Sequence, residues 1–201
     1  MATGFGALLV GTTHGGRARI REYYVAAGYA TAMYKGDFVT LVPTTGEMNV
    51  AVDGIAANTK LGIQQAATGN KLLGFIVGFE PSPTALLSDN YRAASTARRV
   101  MVCDDPEAVF AIQEDAVGGA VTAALVGSMS NADIIVAAGN TRNGLSGTML
   151  DSNTAAATGE DIKILGVLET PDNVAAQSGG AILLCKILDA NHALRSTDSQ
   201  S

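Results

Sequence analysis

Histidine is the usual base in acid–base and nucleophilic catalysis, and this chain carries two, His14 in GTTHGG and His192 in DANHALR. Both stand near the chain ends and neither lies beside an obvious nucleophile, so both read as solvated side chains. Two carboxylate pairs, Asp104 with Asp105 and Glu114 with Asp115, have the composition that glycoside hydrolysis asks for. Adjacent residues on a strand point to opposite faces, however, and a carbohydrate cleft is normally lined by aromatics, which are 5% of this chain. These pairs fit the edges of turns better. The glycine-rich stretch GTTHGG has no Lys-Ser/Thr after it, and GNTRNGLSG precedes no periodic helix, so neither matches a phosphate loop. Aspartates are too sparse for a calcium loop with ligands at regular alternation. Cys103 and Cys185 each sit in an apolar run, RRVMVCD and AILLCKIL, and read as buried thiols. A bridge between them is open only if their strands are neighbours, and no zinc-finger spacing exists. The expectation is a protein without catalytic groups, cofactor or metal.

The composition sets what must hold such a chain together. Its 201 residues fit one large domain or two small ones. Hydrophobic residues make up 47%, yet Trp is absent and the 23 glycines and many alanines keep side chains small. Each residue of such a core buries less apolar area, at ~25 cal/mol per Å², than Leu or Phe does. Charged residues are 16% and the mean hydropathy is +0.22, so the surface is either unusually apolar or covered by neighbours, and coverage is the reading favoured here. A net charge of −6 repels a phosphate backbone, which excludes nucleic acid as the expected partner. Arg98 and Arg99, with Arg92 nearby, are the local exception, and read as a solvated strand end or as ion pairs with Asp104 and Asp105 across a hairpin. The start, MATGFGALLVG, lacks the charged region and cleavage site of a secretory signal, so a cytoplasmic origin is expected. The uncharged stretch Ala116 to Ala132 is too short and too polar for a membrane span of about 20 residues.

The pattern of elements is that of a mainly β protein, an antiparallel barrel or sandwich in one body or two β subdomains, with at most one or two short helices. Residues 1–20, with glycines between small apolar groups, read as a flexible N-terminal arm that orders on a partner or as a frayed terminus. Residues 21–195 form the β-rich body and 196–201 a polar tail. In the body, EYYVAAGYATAMY, the turn Lys35-Gly36-Asp37 and FVTLV read as a hairpin. MNVAVDGIA and KLLGFIVGFEPSP read as further strands. RRVMVCD and AVFAIQED, separated by Asp105-Pro106-Glu107, read as a second hairpin whose return strand is covered on both faces. The stretch around 115–140 holds a short helix, TAALVGSMSNA, or a loop crossing between subdomains, before the strand DIIVAAG. IKILGVLET and AILLCKIL read as a closing hairpin. Leu73-Gly74 leading to Pro81 echoes Leu165-Gly166 leading to Pro171, as two pseudo-equivalent β units would.

Four features of the chain resemble the capsid cement, or decoration, proteins of tailed bacteriophages. They are LGFIVGFEPSP, YRAASTARRVMVCDDPEAVFAIQED, NGLSGTMLDSNTAAATGEDIKILGVLETPDN and the plan of alternating apolar runs and turns, together spanning about Leu72 to Asn173. The most specific element is Asp104, Asp105, Pro106, Ala108, Phe110 and Gln113, followed by Leu145-Ser146-Gly147 and Asp151. The resemblance implies a non-enzymatic virion protein on the outer capsid surface, made in the host cytoplasm. Its expected partners are the major capsid protein and itself, as a homo-trimer or another symmetric oligomer, with neither nucleic acid nor membrane involved. Another phage structural part, such as a tail or head fibre, is the alternative, and a small-molecule binder or enzyme the third. The expected partner-binding residues are Phe5, Leu8, Leu9 and Val10 of the arm, with Tyr23 and Tyr24, because rigid aromatics with a polar handle suit binding surfaces.

Overall fold

The computed structural model describes residues 4–42, 61–81, 90–117, 119–155, 160–173 and 180–195. The predicted strand MNVAVDGIA and the tail 196–201 lie outside the described residues. The fold is mainly β, with antiparallel sheets in a sandwich-like arrangement and, among the described residues, one short α-helix, α1 (Ala123–Gly127), capped by the Thr122 hydroxyl.

The first large sheet contains β1 (Leu8–Thr12), β9 (Ala108–Gln113), β14 (Ile182–Ile187), β13 (Ile162–Val167) and β10 (Asn131–Ala132), in that order. The second contains β2 (Ile20–Val25), β8 (Arg98–Cys103), β6 (Gly74–Phe79), β4 (Phe38–Leu41) and β5 (Ile63–Gln65). A parallel bridge from Tyr24 to Gly62 carries the end of this second sheet back to its first strand. Two short pairs, β3 (Met33–Tyr34) with β7 (Tyr91–Arg92) and β11 (Ile134–Ile135) with β12 (Met149–Leu150), complete the fold.

Alternation within each strand builds two cores. Phe38 and Phe75 of the second sheet face Phe110 of the first, with ring centroids 5.2–6.1 Å apart and edge-to-face angles. Such pairs add ~0.5–1.5 kcal/mol beyond burial. Cys103, Ile112, Ile164, Leu183 and Cys185 fill the space around the rings. The opposite face of the second sheet gathers Val39, Leu73, Ile76, Val100 and Val102 into the other core, so this sheet is a wall shared by both. Both cysteines are buried free thiols, and burial pushes Cys103 up to about 11 and Cys185 up as well.

Three expectations are corrected. The segment read as a flexible arm contributes a strand, β1, which pairs with β9 through Leu8↔Ala111 and Leu9↔Phe110, while Ala7 is buried. The run RRVMVCD–AVFAIQED is no hairpin, since β8 pairs with β2 and β6 whereas β9 pairs with β1 and β14. Its turn exists, with Ala108 N–H on the Asp105 carbonyl at 3.0 Å, but it carries the chain from one sheet to the other. Hairpin turns of two residues need positive φ at their first central position, and Pro106 fixes φ near −65° there. The turn at Lys35-Gly36 likewise joins β3 to β4, which do not pair, and only its second central residue, Gly36, has positive φ, at 89°. The closing hairpin is present, with β13 antiparallel to β14.

Each large sheet is bent by β-bulges, and each bulge precedes a glycine. The register skips Val10 before Gly11, Val77 before Gly78 and Leu165 before Gly166. A residue without Cβ there lets the strand take the extra twist that a bulge imposes. The echoed strands β6 and β13 lie in different sheets, and their bulges fall at different places in the echo, so the shared Leu-Gly does not mark equivalent positions.

Candidate interaction surface

The expected partner residues separate into two groups. Tyr23 and Tyr24 are buried, so they are part of the body and offer no contact surface. The Tyr23 hydroxyl donates to the Asp104 carboxylate at 2.6 Å, and burial with that partner raises its pKa. An aromatic ring beside alternating apolar residues serves a core as readily as an interface, so its local sequence does not distinguish the two. The N-terminal group fares differently. Leu8 and Val10 are 59% and 53% exposed on one face of β1, and Leu9 turns inward against the core that holds Phe110.

Beside β1 lies an apolar cleft of about 630 Å³ between the two sheets. Phe5, Leu8 and Leu9 form one side, with Ile76 and Val77 of β6 and Ile182 of β14 among the rest. Residues 4–13 contain no charged side chain. The bulges at Val10 and Val77 fall in β1 and β6, two of the strands that line this cleft.

The Asp-Asp-Pro-x-Ala motif forms a structural node. Asp104 is fully buried and receives Arg19 Nε at 2.8 Å, Arg21 Nε at 3.2 Å and the Tyr23 hydroxyl. The Asp105 carboxylate accepts from the Arg19 main-chain N–H and from that of Glu107. Glu107 in turn binds the Thr13 hydroxyl and Arg195, which also reaches Asp189 at 3.0 Å. One crossover turn thus fastens the entry to β2 and the C-terminal segment. The predicted pairing of Arg98 and Arg99 with Asp104 and Asp105 is replaced by other contacts. Arg98 donates to the carbonyls of Glu80 and Tyr91, and Arg99 binds the Glu80 carboxylate at 3.1 Å.

Other buried polar groups are likewise structural. Arg92 is fully buried and donates to the carbonyls of Ala26, Tyr29, Thr31 and Thr96, and burial pushes its pKa down to about 10. Asp37 accepts from Tyr34 N–H at 2.7 Å and from the Ser146 hydroxyl at 2.5 Å, and burial pushes it up to about 6. Glu114 accepts from the main-chain N–H groups of Val121 and Ala181.

His14 is exposed, as expected, but His192 is not solvated. His192 is fully buried, bridges Leu72, accepts Leu194 N–H on Nδ1 at 3.1 Å and is pushed down to about 4 by burial. Among the described residues no three His, Cys, Asp or Glu side chains converge to hold a metal, and no helix is long and apolar enough to cross a membrane. Compared with known proteins, the chain matches no family model, no curated protein and no solved structure.

Proposed function

We propose that this chain is a non-enzymatic structural protein of a tailed-phage particle, a cement protein that binds the outside of the capsid and bridges neighbouring subunits and copies of itself. The observation that carries the reading is the uncharged N-terminal segment. It presents Leu8 and Val10 to solvent from a strand whose inward residue, Leu9, packs against the core. A chain with a charge of −6 that leaves such a segment bare has a surface suited to a protein partner. The resemblance carried by Asp104 to Gln113 points to the same class. The polar groups of that motif fasten the sheets together, which suits a part that must resist strain. Specific interfaces bury about 1,200–2,000 Å² in total, so repeated contacts by an oligomer would multiply the affinity of a small patch.

Deleting residues 1–20 is a poor test, because it removes β1 and exposes the core. The test is co-sedimentation of the Leu8→Asp/Val10→Asp variant with particles of the parent phage stripped of this protein. Wild type is expected to pellet with the particles and the folded variant to stay in solution. Wild type that never pellets, or a variant that pellets equally well, contradicts the proposal.

A further inference from the structure

The cleft beside β1 has the chemistry of a small-molecule site as well as a position near the exposed strand. We propose that it binds a single-chain carboxylate amphiphile, an alkyl chain ending in an anionic head, with the tail between the two sheets and the head on Lys35. Its volume of about 630 Å³ lies within the ~300–1,000 Å³ of ordinary ligand pockets. Leu9, Ile76, Val77, Leu168 and Ile182 give it aliphatic walls, and Gly36, whose missing side chain lets the main chain of residues 5–7 come to 2.9 Å from where a Cβ would stand, lines it beside Phe5 and Ala7.

Among the described residues Lys35 is the only charged one in the lining. Its ammonium has neither an ion pair nor a hydrogen bond among the described residues. Its backbone is fixed on both sides, since its N–H donates to the Gly144 carbonyl at 2.9 Å and its own carbonyl accepts from Ser146 N–H at 2.8 Å. These bonds root the side chain beside the cleft, and the four-carbon stem leaves the ammonium free to turn onto an anionic head. An extended peptide would need donors and acceptors along the cleft for its own main chain, and walls made almost entirely of carbon offer few. An alkyl chain needs none.

The test is calorimetric titration of the full chain with octanoate, decanoate and dodecanoate below their micelle concentrations, with dodecyltrimethylammonium as the cationic control. Burial of each added methylene predicts roughly fourfold tighter binding. Lys35→Met is expected to weaken dodecanoate by roughly fivefold and, by removing a like charge, to leave the ammonium control bound no more weakly than before. Leu168→Trp, which narrows the cleft, is expected to weaken both amphiphiles, and circular dichroism checks that each variant is folded. Nuclear magnetic resonance shifts on dodecanoate addition should centre on Val77 and Ile182. No binding, an affinity indifferent to chain length and to Lys35→Met, equal affinity for the cation, or shifts centred elsewhere would each overturn the proposal. Particle co-sedimentation of Lys35→Met reads the structural role separately and should be unchanged.

Discussion

Replacing Asp104 with Asn should cost more stability than removing either arginine that binds it, because the carboxylate is buried and the arginines are not. Asp104 is fully shielded, whereas the side chains of Arg19 and Arg21 are 42% and 48% exposed. When Asn takes its place, both guanidinium groups can turn to water, but the buried Tyr23 hydroxyl loses its charged acceptor. Hydrogen bonds to charged groups contribute ~1.5–3 kcal/mol, and a buried group left unsatisfied costs ~1–3 kcal/mol. The expected loss is about 3 kcal/mol, close to the lower end for breaking a buried ion pair. For a chain of this size it corresponds to a fall in Tm of about 6–12 °C. Arg19→Ala leaves Arg21 and Tyr23 on the carboxylate and should cost about 1 kcal/mol. Urea unfolding with an unchanged m-value measures both. Asp104→Asn within 1 kcal/mol of wild type, or Arg19→Ala costing more than Asp104→Asn, would refute the reasoning.

Arg92→Lys should lose at least about 2 kcal/mol, because an ammonium cannot reproduce a planar fork that serves the carbonyls of Ala26, Tyr29, Thr31 and Thr96; chemical denaturation reads the loss. His192 falls from 6.5 to about 4 on folding, so between those values the unfolded chain binds more protons and acid removes stability. Relative to His192→Gln, wild type should lose about 3 kcal/mol as pH drops from 6.5 to 4, and parallel denaturation curves of the two proteins test the sign. Gly74→Ala should cost about 3 kcal/mol, because a Cβ there would stand 2.0 Å from the Cys103 carbonyl oxygen. Gly78→Ala, with nothing within 4 Å, should stay within about 1 kcal/mol on the same assay.

Much of the fold could be read from the sequence, and the exceptions share a cause. Strand content, the closing hairpin and the turns at Asp105-Pro106 and Lys35-Gly36 follow from apolar alternation and from residues that favour particular φ values. Strand pairing does not, because two covered strands and a turn look alike whether they form a hairpin or cross between sheets. Pro106 held the missing signal, since it forbids the positive φ of a tight hairpin turn. The Val-Gly and Leu-Gly pairs within strands were equally readable as bulges.

For the candidate surface, sequence reasoning singled out Phe5, Leu8, Leu9 and Val10, and the structure places them on the exposed strand and its cleft. Tyr23, Tyr24 and His192 proved buried, because burial depends on tertiary neighbours that spacing along the chain does not specify. Lys35 was seen only as part of a turn, and nothing in its local sequence announces the cleft beside it.

The most direct test of the structural role is a cryo-microscopy map of the parent particle at side-chain resolution. The account predicts this chain on the outer capsid surface, with Leu8 and Val10 covered by a neighbouring subunit. A mature particle that lacks the chain, or one that carries it with both side chains bare to solvent, would contradict it.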